Sequence, residues 1–217
     1  MLIGISGKKF AGKDTTADCI INQLEELFEL EGLDFKIQKL PFAGTLKEMC
    51  INMFGLTPEQ CYDPKEKEVI DFRYGKTPRR IMQEVGCKLR EVWPDVWVEN
   101  TIRKYKKGEA DISIITDCRF PNEVQRIKSE GGKILRVNRN LPSEDFDASE
   151  IALDNWEDWD YIIENNGTIE DLNKAITDSG IIEYLFNPAG LESMKAIYDK
   201  WINNKNTTKY KVNINED

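Results

Sequence analysis

The chain has 217 residues, of which 40% are hydrophobic and 32% charged, and its formal net charge is −9. This composition fits one globular domain with a sizeable core, alone or with an appendage. The acidic balance argues against stable binding to nucleic acid or to an anionic membrane surface, so an anionic ligand would need a local cluster of basic residues. The absence of histidine excludes Ser–His and Cys–His catalysis and metal sites built on imidazole.

The five cysteines include no C-x-x-C pair, which favours free thiols over disulfides or a zinc site. The sequence shows neither a secretory signal nor an apolar run long enough to span a membrane. We therefore expect a cytoplasmic protein.

The first elements predict a βαβ unit. An apolar run at 2–6 predicts a buried strand, apolar spacing at 13–30 predicts a helix that ends near Gly32, and 35–40 predicts a second strand. Helices are then predicted at 44–55, from Thr57-Pro58, from Thr77-Pro78 to 92 and, after the interruption at Pro94, at 96–106.

The second half returns to strands at 111–117, 133–139 and 161–165, with helices at 121–132 and after Thr168. Five strands alternating with helices predict a mostly parallel, doubly wound α/β sheet. Beyond about residue 180 the pattern breaks. An amphipathic helix is predicted at 191–202, followed by a polar end.

The stretch SGKKFAGKDTTAD, residues 6–18, is typical of a phosphate-binding loop. Glycines let backbone N–H groups point at phosphate oxygens, and a lysine reaches the β- and γ-phosphates. The position between a strand and a helix supports this interpretation over a solvated lysine-rich turn. The predicted ATP-binding residues of the loop are Gly7, Lys8, Ala11, Gly12, Lys13, Asp14, Thr15 and Thr16.

Asp14 stands where such loops usually carry a hydroxyl that binds Mg²⁺. A carboxylate is also a suitable hard oxygen ligand, so Asp14 and Thr15 are both candidate metal ligands. The alternative is that Asp14 only favours the helix N-terminus electrostatically.

The loop resembles that of the deoxynucleoside monophosphate kinases of tailed bacteriophages, in which G-K-D-T-T-A-D is typical. Five further segments resemble the same family in the same order: TPRRIMQEVG (77–86), DVWV (95–98), ITDCRFPNEV (115–124), GGKILRVNR (131–139) and IIENNGTIEDL (162–172). The resemblance covers residues 1 to about 178. The family usually has a histidine shortly before the SE at 149–150, where this chain has Asp147 nearby.

This resemblance implies a P-loop NTPase fold, with a kinase domain over 1–178 and a C-terminal extension over 179–217. Within the domain it implies a helical acceptor-binding insertion at about 44–108 and a short lid at about 139–153. The implied reaction is ATP- and Mg²⁺-dependent phosphorylation of deoxynucleoside 5′-monophosphates, in the host cytoplasm if a phage encodes the protein. The implied partners are small nucleotides, and a homodimer is compatible with the family. The extension is interpreted as a helix packed on the domain, with an interaction element as the alternative.

Acceptor binding requires cations, since the acceptor carries a phosphate. Lys9 and Arg79 are implied by the resemblance, Arg79 as an acceptor clamp, and Arg80 is expected in a surface salt bridge. Lys47 and one of Lys65 and Lys67 are further candidates, although any single lysine could be merely solvated. Gly86 and Trp97 are the last two candidates. The glycine would allow close approach, and the indole would lie against the base or, alternatively, in the core, where Trp93 is also expected.

The remaining candidates follow predicted strands, at the edge of the sheet where ligands bind. Asp117 is expected near the metal, with a helix cap as the alternative. Arg119 and Arg139 are expected to stabilise phosphate charge. Asn166 and Gly167 are expected near adenine, although a turn with a capped helix would also explain them.

Two other functions fit the loop. One is a P-loop kinase of another phosphorylated metabolite, and the other is a nucleotide-binding switch protein. The D-x-R-F-P-N-E element and the arginine-bearing helix favour the nucleotide kinase.

Overall fold

Five parallel strands form one sheet. They are β1 (Leu2–Ser6), β2 (Ile37–Lys39), β3 (Ile112–Cys118), β4 (Lys133–Asn138) and β5 (Tyr161–Glu164), and their spatial order is β2-β3-β1-β4-β5. Every pairing between neighbours is parallel, which confirms the predicted α/β sheet. The structure is a computed structural model that describes residues 1–30, 32–140, 148–186, 198–199 and 201–203.

Helices connect the strands within the described part of the chain. They are α1 (Lys13–Leu30), α2 (Ala43–Phe54), α3 (Pro58–Tyr62), α4 (Pro78–Val92), α5 (Val96–Lys107), α6 (Pro121–Ser129), α7 (Ala148–Ile151), α8 (Ile169–Asp178) and α9 (Ile181–Phe186). The predicted elements up to α8 are confirmed, with boundaries that differ by at most three residues. The 3₁₀ turn Glu66–Glu68 and the short helices α7 and α9 were not predicted, because each has too few residues to show a period.

Apolar layers lie on both faces of the sheet. Ile3 and Ile5 of β1 pack on one face with α1, α8 and α9, and Leu2 packs on the other face with α5 and α6. This alternation follows from the two-residue period of a strand, and it makes the sheet doubly wound. The parallel arrangement brings the carboxyl ends of β1, β3, β4 and β5 to one edge, where the phosphate loop begins.

The region between β2 and β3 is helical and has a small apolar cluster of its own, formed by Cys50, Leu56, Cys61, Ile81 and Met82. Its helix starts agree with the sequence. The Thr57 side chain accepts the N–H of Gln60, and the Gln60 side chain accepts the N–H of Thr57. At the start of α4, the Thr77 side chain accepts the N–H of Arg80.

One of the two tryptophans of this region differs from expectation. Trp93 is 46% exposed, so the prediction that it packs in the core is wrong. Trp97 is 3% exposed, and its indole N–H donates to the Gly86 carbonyl at 3.2 Å. The reason is position, since Trp93 follows the last turn of α4 and Trp97 lies inside α5.

The described part of the C-terminal extension packs on the domain. Helix α9 joins the same apolar layer as α1, and so do Tyr198 and Trp201. This placement supports the interpretation of a packed extension. Most of the helix predicted over 191–202 lies outside the described residues. No helix among the described residues is long and apolar enough to cross a membrane.

Candidate active site

The loop between β1 and α1 wraps tightly because two of its glycines have no room for a side chain. A Cβ on Gly7 would lie 2.6 Å from the Val137 carbonyl oxygen. Gly12 has a φ of +93°, and a Cβ there would lie 2.3 Å from Nδ2 of Asn165. Both positions therefore require glycine, as the phosphate-loop interpretation assumed.

Lys13 is buried at the start of α1 and points back into the loop. Its Nζ donates to the Gly7 carbonyl at 2.8 Å and to the Lys8 carbonyl at 2.9 Å. Burial, together with the nearby positive charge of Arg119, lowers the pKa of Lys13 to about 8, against the opposing effect of Asp14. The ammonium is thus held among carbonyl oxygens and is ready to turn to a phosphate.

The hydroxyl and carboxylate groups beside Lys13 are not equivalent. Asp14 and Thr15 are exposed in the first turn of α1. Thr16 is fully buried, and its hydroxyl donates to the Gly12 carbonyl at 2.9 Å. Asp14 and Thr15 are therefore the accessible oxygen ligands for a metal, whereas Thr16 already bonds the loop.

Asp117, near the end of β3, makes the helix-cap contact that the sequence left as an alternative. Its two carboxylate oxygens accept the backbone N–H groups of Phe42 at 2.8 Å and of Ala43 at 2.9 Å, at the start of α2. Burial raises the pKa of Asp117, and the two N–H groups oppose this rise. Its charge also acts on Lys13, so the carboxylate lies close to the loop. A metal role for Asp117 stays a prediction.

Arg119 is joined to the loop by a residue that sequence reasoning missed. Its guanidinium forms an ion pair with Glu150 of α7, and the second oxygen of Glu150 accepts the Lys9 backbone N–H at 2.6 Å. Asp154, just after α7, pairs with Lys8 at 2.7 Å. The contacts of Glu150 with Lys9 and of Asp154 with Lys8 span more than 140 positions of sequence, and no local pattern could have revealed them.

Glu123 holds the backbone before α6. It accepts the N–H groups of Arg119 at 2.7 Å and of Phe120 at 3.1 Å, and Arg90 of α4 donates to its other oxygen at 2.8 Å. Burial raises the pKa of Glu123 to about 7, although these donors oppose the rise. The D-x-R-F-P-N-E element thus fixes the Arg119 turn and ties it to α4.

Cations from three elements lie close enough to influence one another in the region predicted to bind the acceptor. Burial lowers the pKa of Lys67, and the charges of Lys47 and Arg79 lower it further, while that of Asp14 acts in the opposite direction. Lys47 lies over the Tyr62 ring at 4.2 Å. Arg79 pairs with Glu68, and Arg80 forms the expected surface salt bridge, with Glu84 at 2.8 Å.

Of the two lysines that the sequence could not separate, Lys67 is half-buried in this group, whereas Lys65 is exposed. The Lys65 backbone N–H instead donates to Asp63 at 2.7 Å. The structure therefore offers Lys67 as a site residue more directly than Lys65. The 3₁₀ turn that aims these side chains is too short to be read from the sequence.

Gly86 and Trp97 contact each other inside the protein and do not line an open pocket for a base. A Cβ on Gly86 would lie 3.1 Å from Leu46 of α2, so the glycine allows α4 and α2 to pack closely. With its indole buried and bonded to Gly86, Trp97 lies in the core, the alternative that the sequence left open. Base contact by Trp97 stays a prediction that this placement does not favour.

The end of β5 reaches the loop through Asn165, whose Nδ2 donates to the Ala11 carbonyl at 2.9 Å. Asn166 and Gly167 follow on the surface, and the Asn166 side chain accepts the N–H of Asn140. Arg139 is exposed just after β4. The predicted lid, 139–153, lies partly outside the described residues.

An apolar groove of about 490 Å³ lies elsewhere, between α2 and α4. Its lining includes Met49, Met53, Ile81, Val85 and Leu89 and no residue of the phosphate loop. Two lysines also line it, and each is paired with a carboxylate, Lys76 with Glu84 and Lys88 with Glu91. The charged cluster around the loop, and not this groove, is the candidate site.

Comparisons with known proteins show which family the chain resembles. A family model described as deoxynucleotide monophosphate kinase matches residues 36–176. A protein of Acanthamoeba polyphaga mimivirus that carries the same name is 31% identical over 195 residues, covering 81% of this chain and 94% of its own length. The deoxynucleotide monophosphate kinase of Enterobacteria phage T4 is 24% identical, covering 82% of this chain and 98% of its own.

The deoxynucleoside-5′-monophosphate kinase of Escherichia phage T5 is 22% identical and covers 65% of this chain and 74% of its own. Among solved structures, shikimate kinase from Aquifex aeolicus aligns with a TM-score of 0.44 and 14% identity, covering 85% of this chain and 99% of that one.

Proposed function

Because the chain belongs to the deoxynucleotide monophosphate kinase family and is therefore an enzyme that phosphorylates deoxynucleoside 5′-monophosphates, we propose that its donor is ATP, bound with Mg²⁺ at the phosphate loop. The observation that carries this proposal is the buried Lys13, held by loop carbonyls at the junction of β1 and α1. A phosphate there would receive loop N–H groups, the helix dipole and the ammonium together.

On the donor side, Lys13 would bind the β- and γ-phosphates. The loop residues Gly7, Lys8, Ala11 and Gly12 would surround the phosphates through their backbone. Asn166 and Gly167, which follow the end of β5, would lie near adenine. The contact of Asn165 with Ala11 supports this arrangement, because it attaches the end of β5 to the loop.

The residues present fit a magnesium ion. Mg²⁺ in such enzymes is usually bound by one or two protein oxygens and by substrate phosphates. Asp14 and Thr15 are exposed next to Lys13 and would hold the ion, and the half-buried Asp117 would add negative charge nearby. When bound, the ion would neutralise charge on the transferring phosphate.

On the acceptor side, Arg79, Lys47 and Lys67 would hold the monophosphate, with Lys9 and Lys65 as further candidates. An oxygen of the acceptor phosphate attacks the γ-phosphorus, and a new P–O bond forms. The bond from the γ-phosphorus to the β–γ bridging oxygen breaks, and ADP leaves. Charge develops on the transferring oxygens, and Lys13 and Arg119 would stabilise it, with Arg139 as a further candidate.

The division of labour implies two units. The region from α2 to α5 would form the acceptor-binding insertion, because it carries the three clustered cations. The sheet with α1, α6 and α8 would form the ATP-binding part. Direct transfer between the two bound phosphates needs no covalent enzyme intermediate. The absence of histidine is therefore compatible with this reaction.

A nucleotide panel tests the proposal. Purified protein is incubated with ATP and Mg²⁺ and with each of dAMP, dGMP, dCMP, dTMP and the matching ribonucleotides, and the products are separated. We expect deoxynucleoside diphosphates that form only when ATP and Mg²⁺ are both present. Folded protein that binds ATP but forms no diphosphate with any acceptor would contradict the proposal.

A further inference from the structure

The described end of the predicted lid, helix α7, contacts the phosphate loop through one buried carboxylate. The Glu150 side chain is 5% exposed. One of its oxygens accepts the Lys9 backbone N–H at 2.6 Å, and the other pairs with the Arg119 guanidinium. A single side chain from α7 therefore joins the loop after β1 to the turn after β3.

A carboxylate this deeply buried needs fixed partners. Removing it from water is costly unless an opposite charge and N–H donors replace the lost hydration. Glu150 has both, one on each oxygen. The ion pair also fixes the position of Arg119, because its guanidinium stays beside the buried carboxylate.

Arg119 is fixed at both ends as a result. Its backbone N–H is bound by Glu123 at 2.7 Å, and its side chain is bound by Glu150. Its charge reaches Lys13, whose pKa it lowers. A guanidinium carries five N–H donors in a rigid plane, so it can bind a carboxylate on one edge and face a phosphate with another.

We propose that Glu150 is a positioning residue for phosphoryl transfer, which orients the Arg119 guanidinium towards the phosphates bound at the loop. This inference rests on the proposed function. Glu150 touches neither nucleotide and makes no bond in the reaction. Its contribution is to hold a charge-stabilising arginine in the geometry that the transition state requires.

The test compares Glu150→Gln with the wild-type enzyme under saturating ATP and acceptor. Glutamine keeps the size and an oxygen for the Lys9 N–H, but it loses the charge that holds Arg119. We expect kcat to fall roughly 10- to 100-fold, while the KM for ATP changes by less than about threefold. Asp158→Asn is the matched control, because Asp158 is an exposed carboxylate of the same segment that pairs with Lys128. It should leave kcat unchanged.

A double-mutant cycle separates positioning from a merely structural role. If Glu150 acts through Arg119, Glu150→Gln should lower kcat less than about twofold in an Arg119→Ala background. The same loss in both backgrounds would overturn the proposal. So would tighter ATP binding with unchanged kcat, because that would make Glu150 a competitor of phosphate at the Lys9 N–H.

Two conditions keep the results readable. Thermal unfolding of each variant is measured first. If Glu150→Gln is too unstable to assay, Glu150→Asp replaces it. Because aspartate keeps the charge, we expect Glu150→Asp to retain part of the wild-type kcat. If the wild type is active and Glu150→Gln is fully active, the positioning role of Glu150 is wrong and the proposed function stands. A wild type that is inactive in the nucleotide panel sinks the proposed function instead.

Discussion

The two halves of the site differ in what holds their charged groups. On the proposed donor side, Lys13 is bound by backbone carbonyls, Asp117 by backbone N–H groups, and Glu150 by the loop and Arg119. The Lys13 contact with Gly7 is buried, and the contacts of Asp117 and Glu150 are partly buried. On the proposed acceptor side, Arg79 is held by Glu68, whose side chain is 55% exposed.

This difference indicates two ways of preparing a phosphate site. Buried contacts preorganise the donor side, since an unpaired buried group would be costly. Exposed ion pairs contribute only about 0–1 kcal/mol, so the acceptor cations can exchange a carboxylate for a phosphate at little cost. We therefore expect substitutions to affect catalysis on the donor side and acceptor affinity on the other.

The largest effect is expected for Lys13→Met. Loss of the ammonium that binds the transferring phosphate should lower kcat by at least about 10³-fold, since no other described cation lies inside the loop in the same way. Turnover is measured with saturating ATP and a deoxynucleoside monophosphate. Lys88→Met, on an exposed face of α4, is the control and should remain active. An active Lys13→Met enzyme would remove the loop from the mechanism.

The next effect concerns the acceptor. Arg79→Ala should raise the KM for the monophosphate roughly 10- to 100-fold, because a charge-assisted hydrogen bond contributes about 1.5–3 kcal/mol. The KM for ATP should stay within about twofold. Arg80→Ala, one residue further on and paired with Glu84, is the control and should change neither constant. If ATP binding alone weakened, the division of the site would be wrong.

The third prediction is a pH profile. Because burial and Arg119 lower the pKa of Lys13 to about 8, the free enzyme loses this positive charge as the pH rises above 8. We expect kcat/KM for ATP to fall about tenfold per pH unit there, since this ratio reports the free enzyme. Arg119→Gln should move the fall to higher pH. A flat profile up to pH 10 would contradict a neutralised Lys13.

The smallest effect tests the exchange of partners. Glu68→Gln removes the carboxylate that competes with phosphate for Arg79, so the KM for the monophosphate should decrease by up to about fivefold. Steady-state kinetics at low ionic strength give the clearest reading, since salt screens exposed charges. Glu66→Gln, an exposed neighbour in the same turn, provides the comparison. An increased KM would mean that Glu68 orients Arg79 rather than competes for it.

The sequence by itself determined the sheet, the loop and the family. Strand and helix periods are local, and glycines at positions 7 and 12 are required by backbone geometry that a loop motif already encodes. The capping pattern at Thr57 was likewise complete within four residues. These features could be predicted because their physical causes lie within a few positions of the chain.

Tertiary structure alone decided the rest, because it depends on distant contacts. Glu150 reaches Lys9 across 141 positions, and Asn165 reaches Ala11 across 154. The burial of a side chain also depends on tertiary structure, since tryptophan is exposed at position 93 and buried at position 97. Parallel strands bring their carboxyl ends to one edge of the sheet, and this arrangement determines which carboxylates and cations share a site. The local sequence does not specify the distances between these residues.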